Sequence, residues 1–256
     1  HGEFNQTVTT TNRLSSSNPN LQNIPARTAL GQRIRRAFVA PPGKVLVRFD
    51  ASQLEVRIFA HYTQEPVLLE GYRREAKGEE IDVHDLLRQM CGIPPGKYWR
   101  DITKNGVFAT IYGATGAKFA ETVGVSEEVG SGIQRRFKEF VPSIPRWPAQ
   151  VERMIENRGY LETLLGWRGH FPLLWSPLAK ERAEAMRSAV NFPIQGTAAG
   201  WLKTWWLEMD KYWPALGAVP VLTVHDEVVV ELEDDVRSVR ALADMAQEVA
   251  QETGLQ

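Results

Sequence analysis

"VRFDASQLEVRIFAH", residues 47–61, begins in one pattern and ends in another. Val45 to Phe49 reads as a short buried strand, and Leu54 to Tyr62 as an amphipathic helix. Asp50 stands at the junction, and Glu55 follows five residues later on the first turn of the helix. An Asp before a helix is a good cap, and acids suit the first turn because a helix N-terminus carries partial positive charge. For an isolated strand–Asp–helix stretch that is the ordinary reading.

A second strand ending in carboxylates changes the weight of the first. "VLTVHDE", residues 221–227, carries Asp226 after an apolar run. If the two strands pair, the two carboxylates meet at one sheet edge, where acids without a cation between them repel. Hard oxygen ligands favour Mg²⁺, which binds one or two carboxylates together with substrate phosphates. Two such ions form the clamp of phosphoryl transfer, one activating the attacking hydroxyl and the other stabilising the leaving pyrophosphate.

Composition narrows the field without deciding it. A chain of 256 residues with 43% apolar content can bury a sizeable core in one or two domains. The net charge of −1 gives no global sign of nucleic acid. Locally, residues 1–49 hold seven Arg or Lys (Arg13, Arg27, Arg33, Arg35, Arg36, Lys44, Arg48) against Glu3, a local +6. Residues 221–256 hold nine acids against Arg237 and Arg240, a local −7. The basic front end could face phosphates, whereas a solvated face accounts for the acidic tail. Cys91 is the only cysteine, which rules out an internal disulfide or a cysteine-rich zinc site and fits a reducing compartment. No run approaches the length of a membrane span, and the polar start "HGEFNQTVTTTNR" is unlike a signal peptide.

Residues 1–32 read as extended loop, and "IRRAFVAPPGKVLVRFD" as two strands around a Pro-Pro-Gly turn. Helical patterns dominate from about 53 to 158, broken at "GYRREAKGEE", "CGIPPG", "VGVS" and "VPSIP". "GYLETLLGWRGHFP" reads as a hairpin, and the stretch from Ser176 to Trp213 as two helices meeting at Asn191–Pro193. "AVPVLTVHDEVVVEL" reads as a hairpin with His225, Asp226 and Glu227 at its bend, followed by an amphipathic helix from about Asp235 to Glu252. Strands at both ends with helices between predict an α+β fold, a small sheet built from distant segments around a helical insertion.

Within "YWRDITKNGVFATIYG", residues 98–113, Arg100, Lys104, Phe108 and Tyr112 recur every fourth residue. That spacing drifts only about 40° per step, so the four share one helix stripe. Cations occupy one end and aromatics the other. An aromatic stripe is usually core and an Arg–Lys pair usually a solvated face. One stripe holding both in order suits a nucleotide, its triphosphate at Arg100 and Lys104 and its sugar and base at Phe108 and Tyr112.

R-x3-K-x3-F-x3-YG, together with D-x-SQ-x-E-x-R at Asp50 and a strand ending in HDE, resembles the family A DNA polymerases, the DNA polymerase I type. "NRLSSSNPNLQNIPARTALGQRIRRAFVAP" resembles the family's loop that grips the primer–template, and "GYLETLLGWRGHFP" and "NFPIQGTAA" resemble family segments in the correct order. The resemblance implies a polymerase palm, a small antiparallel sheet with helices, at residues 1–62 and 166–256, with helical fingers inserted at 63–165. The family's thumb is expected to precede residue 1, and its last palm strand to follow Gln256.

The resemblance also implies roles. Asp50 and Asp226 are the metal ligands, joined by the backbone carbonyl of Ala51, for two Mg²⁺ ions that Mn²⁺ can replace. Gln53, Glu55, His84, Arg100, Lys104, Phe108 and Tyr112 hold the nucleotide. Lys104 is the proton donor to the departing pyrophosphate, Glu227 stands beside the metals, and Glu55 is a sugar gate beneath Tyr112. Arg13, Asn20, Asn23, Arg187, Asn191 and Gln195 form a duplex-reading set, with His225 near the primer end. Every base pair presents minor-groove acceptors at purine N3 or pyrimidine O2. Such donors can therefore test pair geometry without reading sequence. Arg33, Arg35, Arg36 and Lys44 would add phosphate contacts.

The activity implied is template-directed 5′–3′ DNA synthesis from dNTPs on a primer–template, by a monomer in the cytoplasm of a bacterial or phage-infected cell. A single-subunit RNA polymerase, and a catalytically silent fragment that binds primer–template, are the alternatives. The first is expected to lack an acid at the position of Glu55. Ala51 and Gly106 depart from the family's commoner residues. Gly106 is expected to cost its helix about 1 kcal/mol relative to Ala.

Overall fold

The structure, a computed structural model, describes residues 2–25, 28–114 and 116–254. Arg27, counted above in the basic front end, lies outside them. In chain order the elements are β1 (Glu3–Asn5), β2 (Ser15–Ser17), α1 (Ala29–Arg35), β3 (Lys44–Asp50), α2 (Leu54–Thr63), α3 (Pro66–Ala76), α4 (Val83–Met90), α5 (Lys97–Ile111), α6 (Gly116–Val123), α7 (Glu127–Phe140) and α8 (Ser143–Arg158). There follow β4 (Leu161–Glu162), β5 (Arg168–Gly169), a 3₁₀ turn (Pro172–Trp175), α9 (Ala179–Met209), α10 (Trp213–Leu216), β6 (Val219–Val224), β7 (Glu227–Glu233) and α11 (Val236–Glu252). The fold is α+β. No helix among the described residues is long and apolar enough to cross a membrane.

The chain forms two compact units. One comprises His1–Leu54, Glu162–Trp167 and Gln195–Gln256, the other Glu55–Leu161 and Arg168–Ile194. The chain passes between them four times, inside α2, inside β4, just before β5 and inside α9.

The first unit is organised by an antiparallel three-stranded sheet in the order β3-β7-β6. Register places Asp50 opposite Glu227, Phe49 opposite Val228 and Val47 opposite Val230. Side chains alternate along a strand, so Val45, Val47 and Phe49 share a face with Val228, Val230 and Leu232. That face packs on Trp205 and Met209 of α9, Trp213, and Leu242, Ala246 and Val249 of α11. Each fully buried Val or Leu contributes about 1.5–3 kcal/mol relative to exposure. A one-residue slip of β3 would turn its apolar set out of the core. The opposite parity, Arg48 and Asp50 with Glu227 and Glu231, is thereby assigned to the other face.

The second unit is helical. The inner face of α5 buries Ile102, Thr103, Gly106, Val107, Thr110 and Ile111. Phe119 of α6 and Phe137 of α7 stack edge to face, centroids 6.4 Å apart. A Cβ on Gly106 would lie 2.9 Å from each of those rings. The glycine is therefore what lets α5 approach the aromatic pair. Against the expected cost in helix propensity stands packing that no larger residue allows without displacement.

Three local expectations fail. Residues 1–32, read as extended loop, contain the antiparallel pair β1–β2 and the start of α1. The stretch before the Pro-Pro-Gly turn is helix α1 followed by coil, not a strand. Thr28 caps it by accepting from the Gly31 amide at 3.1 Å, and the apparent strand pattern is a short helix with exposed Leu30 and Ile34. The two helices expected to meet at Asn191–Pro193 are one, with Pro193 inside α9. Proline removes one i→i−4 bond, yet Phe192 and Ile194 are fully buried and Trp147 Nε1 donates to the Val190 carbonyl at 3.0 Å. Packing across that turn outweighs the missing bond.

Candidate active site

In the first unit the carboxylates gather at one end of the sheet. Asp50 and Asp226 do not come together through pairing of their own strands, because β7 lies between β3 and β6. They meet because β6 and β7 are joined by the two-residue turn His225–Asp226, which brings Asp226 back beside β3. The Ala51 amide donates to the Asp226 carbonyl at 3.4 Å, tying the two loops. Phe49, Asp50, Ala51 and Asp226 line a cavity of about 290 Å³ with Trp201, Trp205 and Gln247.

Both loops carry a non-glycine residue in the left-handed region, Gln53 at φ 57° and His225 at φ 58°. Such positions cost roughly 1–3 kcal/mol and persist only where the surroundings impose them. Glu227 lies directly opposite Asp50, like charge facing like. Its carboxyl is pushed up first by burial and further by Asp50 and Asp226, against the pull of Arg48, whose Nε lies 3.5 Å away. A cation between such acids would relieve their repulsion. Two carboxylates at one edge fit Mg²⁺ completed by substrate phosphates. No group of three or more His, Cys, Asp or Glu poised to hold a metal exists among the described residues.

The residues expected to hold the nucleotide fall in the second unit, apart from Gln53. On α5, Lys104 is exposed, and Arg100, Phe108 and Tyr112 are half-buried. The rings of Phe108 and Tyr112 lie 6.5 Å apart, and His84 of α4 lies 6.4 Å from Phe108. The Tyr112 hydroxyl donates to the Glu55 carboxylate, which is buried. His84 is 1% exposed, and neither ring nitrogen has a hydrogen-bond partner. Burial first, then Lys104 and Arg100, depress its pKa to about 4 despite Asp82, whose Oδ1 is 3.6 Å from Nδ1. It is a neutral imidazole at pH 7.

Reading by motif missed Asp82. Its carboxylate caps α4, accepting from the His84 amide at 2.8 Å and the Asp85 amide at 3.2 Å, and it also holds Arg100. Its place two residues before His84, at a helix start, was the available signal.

The duplex-reading set is divided. Arg13, Asn20 and Asn23 lie in the first unit, where Asn20 Oδ1 accepts from the Gln22 amide at 3.0 Å. A cavity of about 390 Å³ is lined by Arg13, His225, Lys203 and Trp206 among others, and Lys203 donates to Asn12 at 2.6 Å. Lys203 and Trp206 carried no motif signal. Arg187, Asn191 and Gln195 recur every fourth residue along α9, and the buried Oδ1 of Asn191 lacks a partner. Arg35 is committed elsewhere, donating to the Ile24 carbonyl at 2.8 Å, and Lys44 pairs with Glu231 at 3.1 Å. Arg33 and Arg36 are exposed.

Residues 1–255 match DNA polymerase family A, and the chain belongs to that family. The thermostable DNA polymerase I of Thermus aquaticus is 40% identical over 260 residues, covering 97% of this chain and 30% of that protein. That of Thermus thermophilus is 41% identical over 262 residues, covering 98% and 30%. DNA polymerase I of Pseudomonas aeruginosa is 37% identical over 242 residues, covering 92% and 26%. The POL domain of Pol1 from M. smegmatis, solved in complex with DNA primer-template and dNTP, superposes with a TM-score of 0.86 at 31% identity, covering all of this chain and 45% of that one. The chain thus spans under a third of the length of these curated relatives.

Proposed function

We propose that the chain carries out template-directed DNA synthesis, transferring a nucleotide from a dNTP to a primer 3′-hydroxyl. The observation that carries this reading is the tied pair of loops at the sheet end, with Asp50 and Asp226 lining one cavity in a family A chain. In this assignment the palm comprises residues 1–62 and 166–256 and the fingers 63–165.

Asp50, Asp226 and the Ala51 carbonyl would hold divalent metal, Mg²⁺ by the chemistry of its oxygen donors, which when bound activates the 3′-hydroxyl and steadies the pyrophosphate charge. Arg100 and Lys104 grip the triphosphate. Lys104, the exposed cation of the stripe, delivers a proton to the departing pyrophosphate. Phe108 and Tyr112 receive sugar and base, and Gln53 is also assigned to the nucleotide. His84, neutral, offers a hydrogen bond to a phosphate oxygen without adding charge. Glu55, held by the Tyr112 hydroxyl, forms the floor of the sugar site, where an added 2′-hydroxyl would clash or stay unpaired. Arg13, Asn20, Asn23, Arg187, Asn191, Gln195 and His225 track the primer–template, and Glu227 shapes the metal site. In this reading the protein acts as a monomer in the cytoplasm.

Primer extension with Mg²⁺, comparing dNTPs with NTPs, tests the reading. Templated extension with dNTPs alone is expected. Extension with NTPs would turn the assignment to RNA synthesis, and primer–template binding without extension would leave only a DNA-binding module.

A further inference from the structure

The geometry points to Asp82 as a positioning residue for the triphosphate grip, holding the Arg100 guanidinium in place before a nucleotide arrives. This rests on the assignment of Arg100 to the triphosphate.

The carboxylate of Asp82 is used from both sides. Oδ1 accepts from two amides in the first turn of α4, that of His84 at 2.8 Å and that of Asp85 at 3.2 Å. Oδ2 accepts from Arg100 through Nε at 2.9 Å and through Nη2. The acid is thus fixed to the backbone of one helix while it holds a side chain of the next. Burial acts to raise its pKa, but Arg100 and the backbone donors bring it below the usual carboxylate range. It stays charged at neutral pH.

The contact takes one edge of the guanidinium and leaves the other. Nη1 approaches the carboxylate of Asp101 only to 3.9 Å, so its donors remain available for a phosphate oxygen. A free arginine must give up considerable rotamer freedom before it can grip an anion. A charge-assisted pair that already orders it removes that loss from the binding step. The same carboxylate sets the start of α4 and so holds His84, whose ring stands against Phe108. One acid thereby aligns two groups assigned to the nucleotide that come from different helices.

Asparagine caps a helix about as well as aspartate but is a far weaker partner for a guanidinium. Asp82→Asn therefore separates the two roles, and Asp82→Ser, which also caps, guards against a folding defect peculiar to one variant. The measurement is the equilibrium Kd of a template-matched dNTP, with Mg²⁺, on the chain bound to a dideoxy-terminated primer–template. Both Asp82 variants are expected to raise that Kd about tenfold, with unchanged primer–template affinity. Asp82→Asn combined with Arg100→Ala is expected to be no weaker than Arg100→Ala alone.

A wild-type Kd in both Asp82 variants, a tighter one, or additive losses in the double variant overturns the role given to Asp82. If Arg100→Ala leaves the Kd unchanged, or the unaltered chain binds no dNTP, the nucleotide assignment of α5 falls and takes this inference with it. Loss in Arg100→Ala with none in the Asp82 variants overturns the inference alone.

Discussion

The carboxylate end of the first unit and the stripe of the second are built in opposite ways. The first is a backbone construction: Asp50, Ala51 and Asp226 owe their places to a β ladder, a two-residue turn and one amide–carbonyl contact. The second is a side-chain construction on one helix, where Arg100, Lys104, Phe108 and Tyr112 follow from a spacing of four. Strand pairing cannot yield by small amounts, whereas stripe side chains can turn within their rotamers. Substitutions should therefore act in an all-or-none manner at the sheet end and by degrees along the stripe.

The largest expected effect lies at the sheet end. Asp50→Asn or Asp226→Asn should each reduce primer extension by about 10³-fold or more, because a bound metal supplies several kcal/mol and each 1.4 kcal/mol is a factor of ten. Primer–template affinity measured alongside should change little. Extension near the wild-type rate in either variant breaks the contrast at its strong end.

On the stripe side, His84 makes stability depend on pH. Its folded pKa of about 4 lies below the ordinary 6.5, so the unfolded chain binds more protons between those values. Stability should be fully present above about pH 6.5 and be lost as pH falls toward 4, by a few kcal/mol at most. Denaturant melts of wild type and His84→Phe at pH 7 and pH 5 would measure this. A wild-type protein that loses no more stability than the variant on acidification removes His84 from the account.

Gly106→Val should destabilise the protein by about 2 kcal/mol, because overpacking against Phe119 and Phe137 exceeds the gain in helix propensity. An unchanged or raised melting temperature would show that the aromatic pair gives way. The smallest effect sharpens the contrast most. Glu55→Ala should raise NTP use relative to dNTP about tenfold, since rejection by one unpaired hydroxyl is worth on the order of 1–3 kcal/mol. It leaves the Tyr112 hydroxyl to find water. Retained sugar discrimination in that variant would reduce Glu55 to an acid at a helix start.

Much of this was readable along the chain. The strand ending at Asp50, the stripe on α5, the hairpin bearing Asp226 and the amphipathic α11 are local patterns of period two or near four, and local patterns are written in neighbouring residues. What escaped reading depends on residues far apart. The strand order puts β7, not β6, against β3, and there Val228, Val230 and Leu232 complete the apolar face begun by Val45, Val47 and Phe49. The continuity of α9 through Pro193 depends on Trp147, and the value of Gly106 on Phe119 and Phe137.

The sequence by itself determined the family, the α+β class, and which acids, cations and aromatics are available, since each follows from residue type and short-range spacing. The tertiary structure alone decided that Asp226 reaches Ala51, next to Asp50, through a turn, that Glu55 is claimed by Tyr112, and that Asp82 holds Arg100. Those three contacts join residues remote in sequence, and a contact of that kind exists only once burial and backbone pairing have brought separate elements within hydrogen-bond reach.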